Sequence, residues 1–163
     1  MRQTELEKKE RRRQRRKRLI RAEADYLARK GRFAMTAQYM QHGGISVQEH
    51  CLRVADTSLR IADCLPVRVN RRNLVRGALL HDYFLYDWHE KDASHRLHGF
   101  FHPGKALRNA KEDFLLTRRE EDIILRHMFP LTLVPPGCAE SWIVCAADKI
   151  CAAQETFGGL IGK

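Results

Sequence analysis

Hydrophobic positions recur along most of the chain with the spacing of α-helices, whereas strong alternation of apolar and polar residues is missing. Turn-forming residues are few and well separated. Helices are therefore predicted over residues 4–30, 33–41, 47–65, 70–81, 103–116, 118–127 and 139–155. The pattern predicts an all-α protein, a single compact helical bundle preceded by a helical arm.

Several helix boundaries follow from capping residues. Ser46 with Glu49 three residues later, and Thr117 with Glu120, each form the sequence pattern of a capping box. Asn70 is suited to cap the next helix, and Pro103 suits the first turn of another. Between residues 83 and 101 no period is visible, so we predict a long functional loop there.

Length and cysteine content restrict the class of protein. A chain of 163 residues is long enough for one domain with a core and too short for two ordinary ones. No apolar run reaches the roughly 20 residues needed to cross a bilayer, and no secretory signal follows the N-terminal basic run, so we expect a cytoplasmic protein. The five cysteines form no CxxC pair and are expected to be reduced core thiols.

The positive charge of the chain is concentrated at its N-terminus. Residues 1–32 hold 14 Lys/Arg against 5 Asp/Glu, a net charge of +9, while the rest holds 16 against 15. We therefore divide the chain into a basic helical arm, residues 1–32, and a nearly neutral domain, residues 33–163. The arm is interpreted as a solvated helix, as an anchor to an anionic surface, or as an RNA contact, which is the leading functional interpretation.

Histidine and aspartate residues fall on the apolar faces of several predicted helices. His50 shares a face with Val54, and both His81 and His127 follow apolar residues by three or four positions. Asp82 comes directly after His81. Asp148 interrupts an apolar run, where an ionised carboxylate is costly unless its charge is compensated. Imidazole and carboxylate groups together are typical ligands of Fe, Mn, Co, Ni or Zn at hydrolytic sites.

The order of these motifs resembles the HD-domain superfamily of metal-dependent phosphohydrolases. The shared elements are a first His, an adjacent His-Asp pair and a later Asp, all on helices: His50, His81-Asp82 and Asp148. The segment 78–82 (ALLHD) looks like the signature helix of that family, and 147–149 (ADK) looks like its C-terminal Asp motif. The resemblance covers roughly residues 45–155.

Two further histidines are similar to those of two-metal branches of this superfamily, notably the bacterial dinucleoside-polyphosphate hydrolases. His102 precedes Pro103, as in the HP-containing motif of those branches, and His127 stands where a second extra histidine is expected. His98 competes with His102 for the first of these positions, and His102 is preferred.

The resemblance implies a mechanism and a set of residue roles. His50, His81, Asp82 and Asp148 would hold one divalent metal, and Asp82 would bridge to a second held by His102 and His127. One or two such ions would activate a hydroxide that attacks the phosphoryl group. The predicted catalytic residues are His81, Asp82 and Lys149, and the predicted substrate-binding residues are Arg53, Lys105 and Asp87.

Each of the three cations has a plainer interpretation as a solvated surface charge. The aromatic residues from Tyr83 to Trp88 would either stack on a base or form a wall of the core. Two functions remain open for the chain as a whole. The first is a phosphohydrolase acting on a phosphate ester or phosphoanhydride of a small molecule, preferably a nucleotide. The second is a metal-containing module of the same fold that binds a nucleotide or RNA without turnover.

Overall fold

Six α-helices and one 3-10 helix make up nearly all the regular structure in a computed structural model of the chain. The structure describes residues 2–42, 44–86 and 98–161, with side chains over 4–41, 44–86 and 100–157. In chain order the elements are α1 (Arg2–Lys30), the 3-10 helix (Phe33–Gln38), β1 (Met40–His42), β2 (Ile45–Ser46), α2 (Val47–Cys64), α3 (Arg71–Leu80), α4 (His98–Asp113), α5 (Arg118–Arg126) and α6 (Ala139–Ile161). The predicted all-α class is confirmed. Within these ranges, no helix combines the length and apolar character that crossing a bilayer demands.

The predicted capping residues begin three of the helices. Ser46 Oγ accepts a hydrogen bond from the Glu49 amide at the start of α2. Asn70 caps α3 by accepting from two backbone amides. At the start of α5, Thr117 and Glu120 form both bonds of a capping box. These bonds satisfy amide groups that the first turn of a helix leaves unpaired, which explains why the sequence located these ends well.

Three of the predicted helices differ from those in the structure. The segment 33–41 is not one helix, because its backbone turns after the 3-10 helix and β1 pairs with β2 across the reversal at Gly44, whose φ is +90°. Helix α4 begins at His98, which places Pro103 inside the helix rather than in its first turn. A proline removes one helical hydrogen bond, and the buried face of α4 offsets that loss. Helix α6 continues past residue 155 to Ile161.

The core lies where α2, α3, α5 and α6 meet. Helix α2 packs mainly against α3 and α6, and α5 packs against α3, α4 and α6. Apolar side chains from all four helices fill the interior, among them Leu59, Leu79, Ile124 and Val144. All five cysteines are unpaired, as predicted, and three of them are buried: Cys51, Cys145 and Cys151. Because the helices that carry the predicted metal ligands share this core, their relative positions are set by close packing.

The two halves of α1 have different surroundings. In the second half, Ile20 and Leu27 are buried in the core, and Glu23 lies 2.8 Å from Arg72 of α3. The first half is exposed to solvent, except that Arg16 contacts Asp56 and Asp63 of α2. The helix therefore begins as a charged projection and ends as part of the core.

We expect Gly77→Ala to destabilise the protein, because Ile123 of α5 packs directly against the backbone of α3 at Gly77. A Cβ at this position would lie 2.4 Å from Ile123 Cδ1 and 2.9 Å from its Cβ. Overpacking of this kind costs about 1 to 3 kcal/mol, so the melting temperature should fall by roughly 3 to 10 °C.

Gly104→Ala is the matched control in thermal unfolding, because a Cβ at that helical position meets nothing within 4 Å. It should leave the melting temperature unchanged or raise it slightly, since alanine favours helix over glycine. Equal melting temperatures for the two variants would contradict the assignment of close packing at Gly77.

Candidate metal centre

Five helices bring six buried side chains to one point in the core. His81 and His127 are the C-caps of α3 and α5, and both keep helical backbone angles, so their rings continue the inward faces of those helices. Asp82 follows His81 directly. The remaining three side chains come from α2, α4 and α6. The structure thus brings together all six predicted ligands: His50, His81, Asp82, His102, His127 and Asp148.

Four of these side chains form a first group, to which Asp82 contributes one oxygen: His50, His81, Asp82 and Asp148. Asp148 Oδ1 lies 3.1 Å from His50 Nε2 and 3.6 Å from His81 Nε2. Asp82 Oδ2 lies 3.8 Å and 3.4 Å from the same two nitrogens. Ligands at about 2.1 Å from a common metal ion stand roughly 3.0 to 3.4 Å apart, so these separations suit a shared cation.

The other oxygen of Asp82 faces a second group. Asp82 Oδ1 lies 3.1 Å from His102 Nε2 and 3.6 Å from His127 Nε2. The two histidine nitrogens are themselves 2.8 Å apart. Asp82 therefore presents one carboxylate oxygen to each group, which is the arrangement expected of a ligand shared by two cations.

Hydrogen bonds at the far side of three rings fix which nitrogen faces the cluster. His81 Nδ1 donates to the Ala78 carbonyl oxygen and His127 Nδ1 donates to the Ile124 carbonyl oxygen, each at 2.8 Å. His50 Nδ1 lies 2.8 Å from Glu155 Oε2 and donates a hydrogen bond to this carboxylate oxygen. Because Nδ1 is occupied by these bonds, Nε2 is the nitrogen that faces the cluster, where a metal ion would bind its lone pair. Against the effect of burial, the nearby carboxylates raise the pKa of His50 to about 10 and that of His81 well above its usual value, so a metal ion would displace a proton at these rings.

Two buried atoms of the cluster lack a hydrogen-bond partner among the described residues. They are His81 Nε2 and Asp82 Oδ1. An unsatisfied buried polar atom costs about 1 to 3 kcal/mol, more when it is charged. A cation in each group would contact one of these two atoms and remove that cost, and mixed imidazole and carboxylate ligands suit divalent transition metals. The residues present therefore fit a metal centre.

Neighbouring charges within the cluster lower the pKa values of Asp82 and His127. Burial alone would raise the pKa of Asp82, but the neighbouring His81 and His102 hold that pKa well below its usual value. Burial, together with repulsion by His81 and His102, lowers the pKa of His127 to about 3. At neutral pH, Asp82 is therefore an anion and His127 a neutral ring, the two forms that bind metal ions.

Two residues that sequence reasoning missed also contact the cluster. Glu155 is buried in α6 behind His50, and Gln41 Nε2 on β1 donates to Asp82 Oδ2 at 2.7 Å. Glu155 lies seven residues, two helical turns, after Asp148, so the argument that found one buried carboxylate on α6 applied equally to the other. Gln41 gave no such signal, because the hairpin that turns it inward was not predicted.

The predicted cationic residues lie beside the cluster. Lys149 Nζ donates to the carbonyl oxygen of His127 at 3.0 Å. Arg53 pairs with Glu49 at 2.6 Å and lies 3.9 Å from Glu155 Oε1. Lys105 Nζ lies 4.4 Å from the ring centre of Tyr86. Lys149 thus contacts the backbone of a ligand residue, whereas Arg53 and Lys105 contact other side chains.

The loop after Asp82 is described only in part. Tyr83 and Phe84 are buried in the core, which favours the interpretation of these two rings as a wall of the core. Phe84 packs against the His102 ring with 5.8 Å between ring centres. The predicted substrate contact Asp87 lies outside the described residues, as does the side chain of His98, whereas His102 Nε2 reaches the cluster.

The HD-domain family model matches residues 47–153, about two thirds of the chain, and this protein belongs to the HD-domain family. HD domains bind divalent metals and are typically metal-dependent hydrolases. The matched segment contains all six side chains of the cluster. No curated protein and no solved structure gives a significant match to the chain.

Proposed function

We propose that this protein is a metal-dependent phosphohydrolase that cleaves a phosphate ester or phosphoanhydride, preferably of a nucleotide. The observation that carries the proposal is the division of Asp82 between two ligand groups, with one oxygen facing His50 and His81 and the other facing His102 and His127. Hydrolytic sites that act on phosphates often use such a paired arrangement.

In this proposal His50, His81, Asp82 and Asp148 hold one ion, and Asp82, His102 and His127 hold the other. When bound, the ions lower the pKa of a water nucleophile and neutralise charge on the phosphoryl oxygens. Gln41 Nε2 restrains Asp82 through its 2.7 Å hydrogen bond. We infer a positioning role for Lys149, whose contact with the His127 carbonyl oxygen would hold the end of α5 against α6.

A nucleotide is the preferred substrate because an aromatic ring and a cation stand together beside the ligands. Tyr86 is half-buried. Burial, and after it the charge of Asp82, raise the pKa of Tyr86 to about 12, so this ring lies close to Asp82. Lys105 lies over this ring and can reach a phosphate from α4. The resemblance to dinucleoside-polyphosphate hydrolases points to the same class of substrate.

The proposal is tested by analysing the metal content of the purified protein and by assaying phosphate release. Nucleotides, dinucleoside polyphosphates and cyclic dinucleotides should be tested with added Mn²⁺ or Fe²⁺. We expect one to two equivalents of a divalent transition metal and hydrolysis of at least one compound. Metal-loaded protein that binds a nucleotide but hydrolyses none would favour the alternative, a non-catalytic nucleotide- or RNA-binding module. Protein that takes up no metal would overturn both.

Glu155→Gln should weaken metal binding about 10- to 100-fold, the usual effect of removing a carboxylate that supports a histidine ligand. The amide keeps the size of the side chain but no longer supplies a charged acceptor for His50 Nδ1, 2.8 Å away. Competition with a chelating dye measures the dissociation constant. Glu49→Gln is the matched control, because Glu49 contacts the same Arg53 but is exposed. Equal metal affinity in both variants would show that Glu155 has no supporting role.

A further inference from the structure

A positively charged surface lies between the projecting half of α1 and the end of α2. The two helices leave an open groove between them, which we call the arm groove. Its cations come from both sides: Lys8, Lys9, Arg12 and Arg16 from α1, and Arg60 from α2. Five cations and two carboxylates line the groove, which leaves three positive charges.

Part of this charge is used to hold the arm in place. Arg16 bridges to Asp56 and Asp63 at 3.3 Å and 3.1 Å, and joins α1 to α2. By contrast, Lys9, Arg12 and Arg60 are exposed and have no ion pair within 4 Å among the residues that the structure describes. Three cations from two different helices thus face one groove without a counter-charge.

We propose that the arm groove binds the phosphate backbone of a nucleic acid. The groove is positive, and the net charge of +9 on residues 1–32 extends the positive field along the whole arm. A helix that inserts into a membrane surface needs an apolar face, but Ile20 and Leu27 are buried in the core, and Leu6 is the large apolar side chain that the projecting half exposes. Because the described side chains of the projecting half form no apolar face, a phosphate polymer is favoured over a lipid surface.

The composition of the groove also determines how it would recognise a strand. Its described lining includes no aromatic side chain on which bases could stack. Binding would then rest on phosphate contacts, with little preference for base sequence and a steep dependence on salt.

The arm groove is separate from the metal centre. Asp63 follows His50 by thirteen residues in α2, which places the groove about 20 Å along that helix from the cluster. The proposal therefore goes beyond hydrolysis and does not depend on it, and binding can be measured without any turnover.

The test is fluorescence anisotropy of a labelled single-stranded 20-nucleotide RNA with the full-length protein. If three to four phosphates are neutralised, the affinity should fall about 20- to 50-fold between 50 and 200 mM salt. Lys9→Glu/Arg12→Glu should weaken binding at least about tenfold and reduce the slope of log affinity against log salt by about 1.4. Arg60→Gln should also weaken binding, since it lies on the opposite wall.

Arg68→Glu/Arg118→Glu is the matched control, because it makes the same change in charge at two exposed positions that do not line the arm groove. Arg68 lies in the loop after α2, and Arg118 lies at the start of α5. If the control and the arm variant bind RNA equally, or if Arg60→Gln binds like the unmodified protein, the proposal is overturned. Tighter association with phosphatidylserine vesicles than with RNA would overturn the choice of partner. Point variants are preferable to deleting residues 1–30, because the deletion would remove Ile20 and Leu27 from the core.

Discussion

Asp82→Asn should reduce both the metal content of the protein and its phosphate release to background. The carboxylate presents one oxygen to each ligand group, so its replacement weakens both at once. The loss of metal ions removes several kcal/mol of transition-state stabilisation, which is about a thousandfold or more in rate. Mass spectrometry of bound metal and the kcat/KM for the best substrate measure the two effects.

Asp25→Asn serves as the control for that variant, because Asp25 is an exposed carboxylate on α1 whose partner is another surface side chain, Arg21. It should keep full metal content and turnover. Circular dichroism should show both variants to be folded, since asparagine has the shape of aspartate. If Asp82→Asn retained the metal content of the unmodified protein, the assignment of the centre would be wrong.

His127→Ala is expected to halve the metal content, from two equivalents to one. The second group would keep only Asp82 Oδ1 and His102 Nε2, whereas the atoms of the first group, from His50, His81, Asp82 and Asp148, are untouched. Turnover should fall by at least about a hundredfold, because one cation then has to neutralise the charge that two share. Metal-to-protein ratios at saturating metal, followed by turnover, test the two parts separately.

His102→Ala should give the same ratio, since it removes the other histidine of the same group. A full two equivalents in either variant would show that the second group does not hold an ion. A ratio near zero in both would show instead that the two groups bind one ion together, and the two-metal arrangement would have to be abandoned.

The ligands that the helical pattern alone identified share one property: each stands out against its own helix. Asp148 interrupts an apolar run, and His50 lies on the apolar face of α2, so local periodicity was enough to mark them. The same holds for the capped starts of α2, α3 and α5, where side chain and backbone interact within three residues. Local rules therefore predicted the helical class and most of the side chains that meet at the centre, whereas His102 was identified through the family resemblance.

Features that depend on distant parts of the chain were not predictable in this way. Gln41 reaches Asp82 only because the chain reverses at Gly44, and such pairings depend on contacts made after folding. The start of α4 was misplaced because tertiary packing outweighs the usual preference of proline for a first turn. The arm groove involves Arg60 from another helix, and the charge of residues 1–32 gave no indication of it.

The two histidines that end α3 and α5 have an electrostatic consequence of their own. A helix carries a partial negative charge at its carboxyl end, and here two such ends point at one cluster, at His81 and His127. The aligned peptide dipoles therefore add to the attraction of Asp82 and Asp148 for cations. The same field repels anions, so a phosphate compound is disfavoured at the centre until cations are in place. In the proposed hydrolase the metal ions would therefore bind before the substrate.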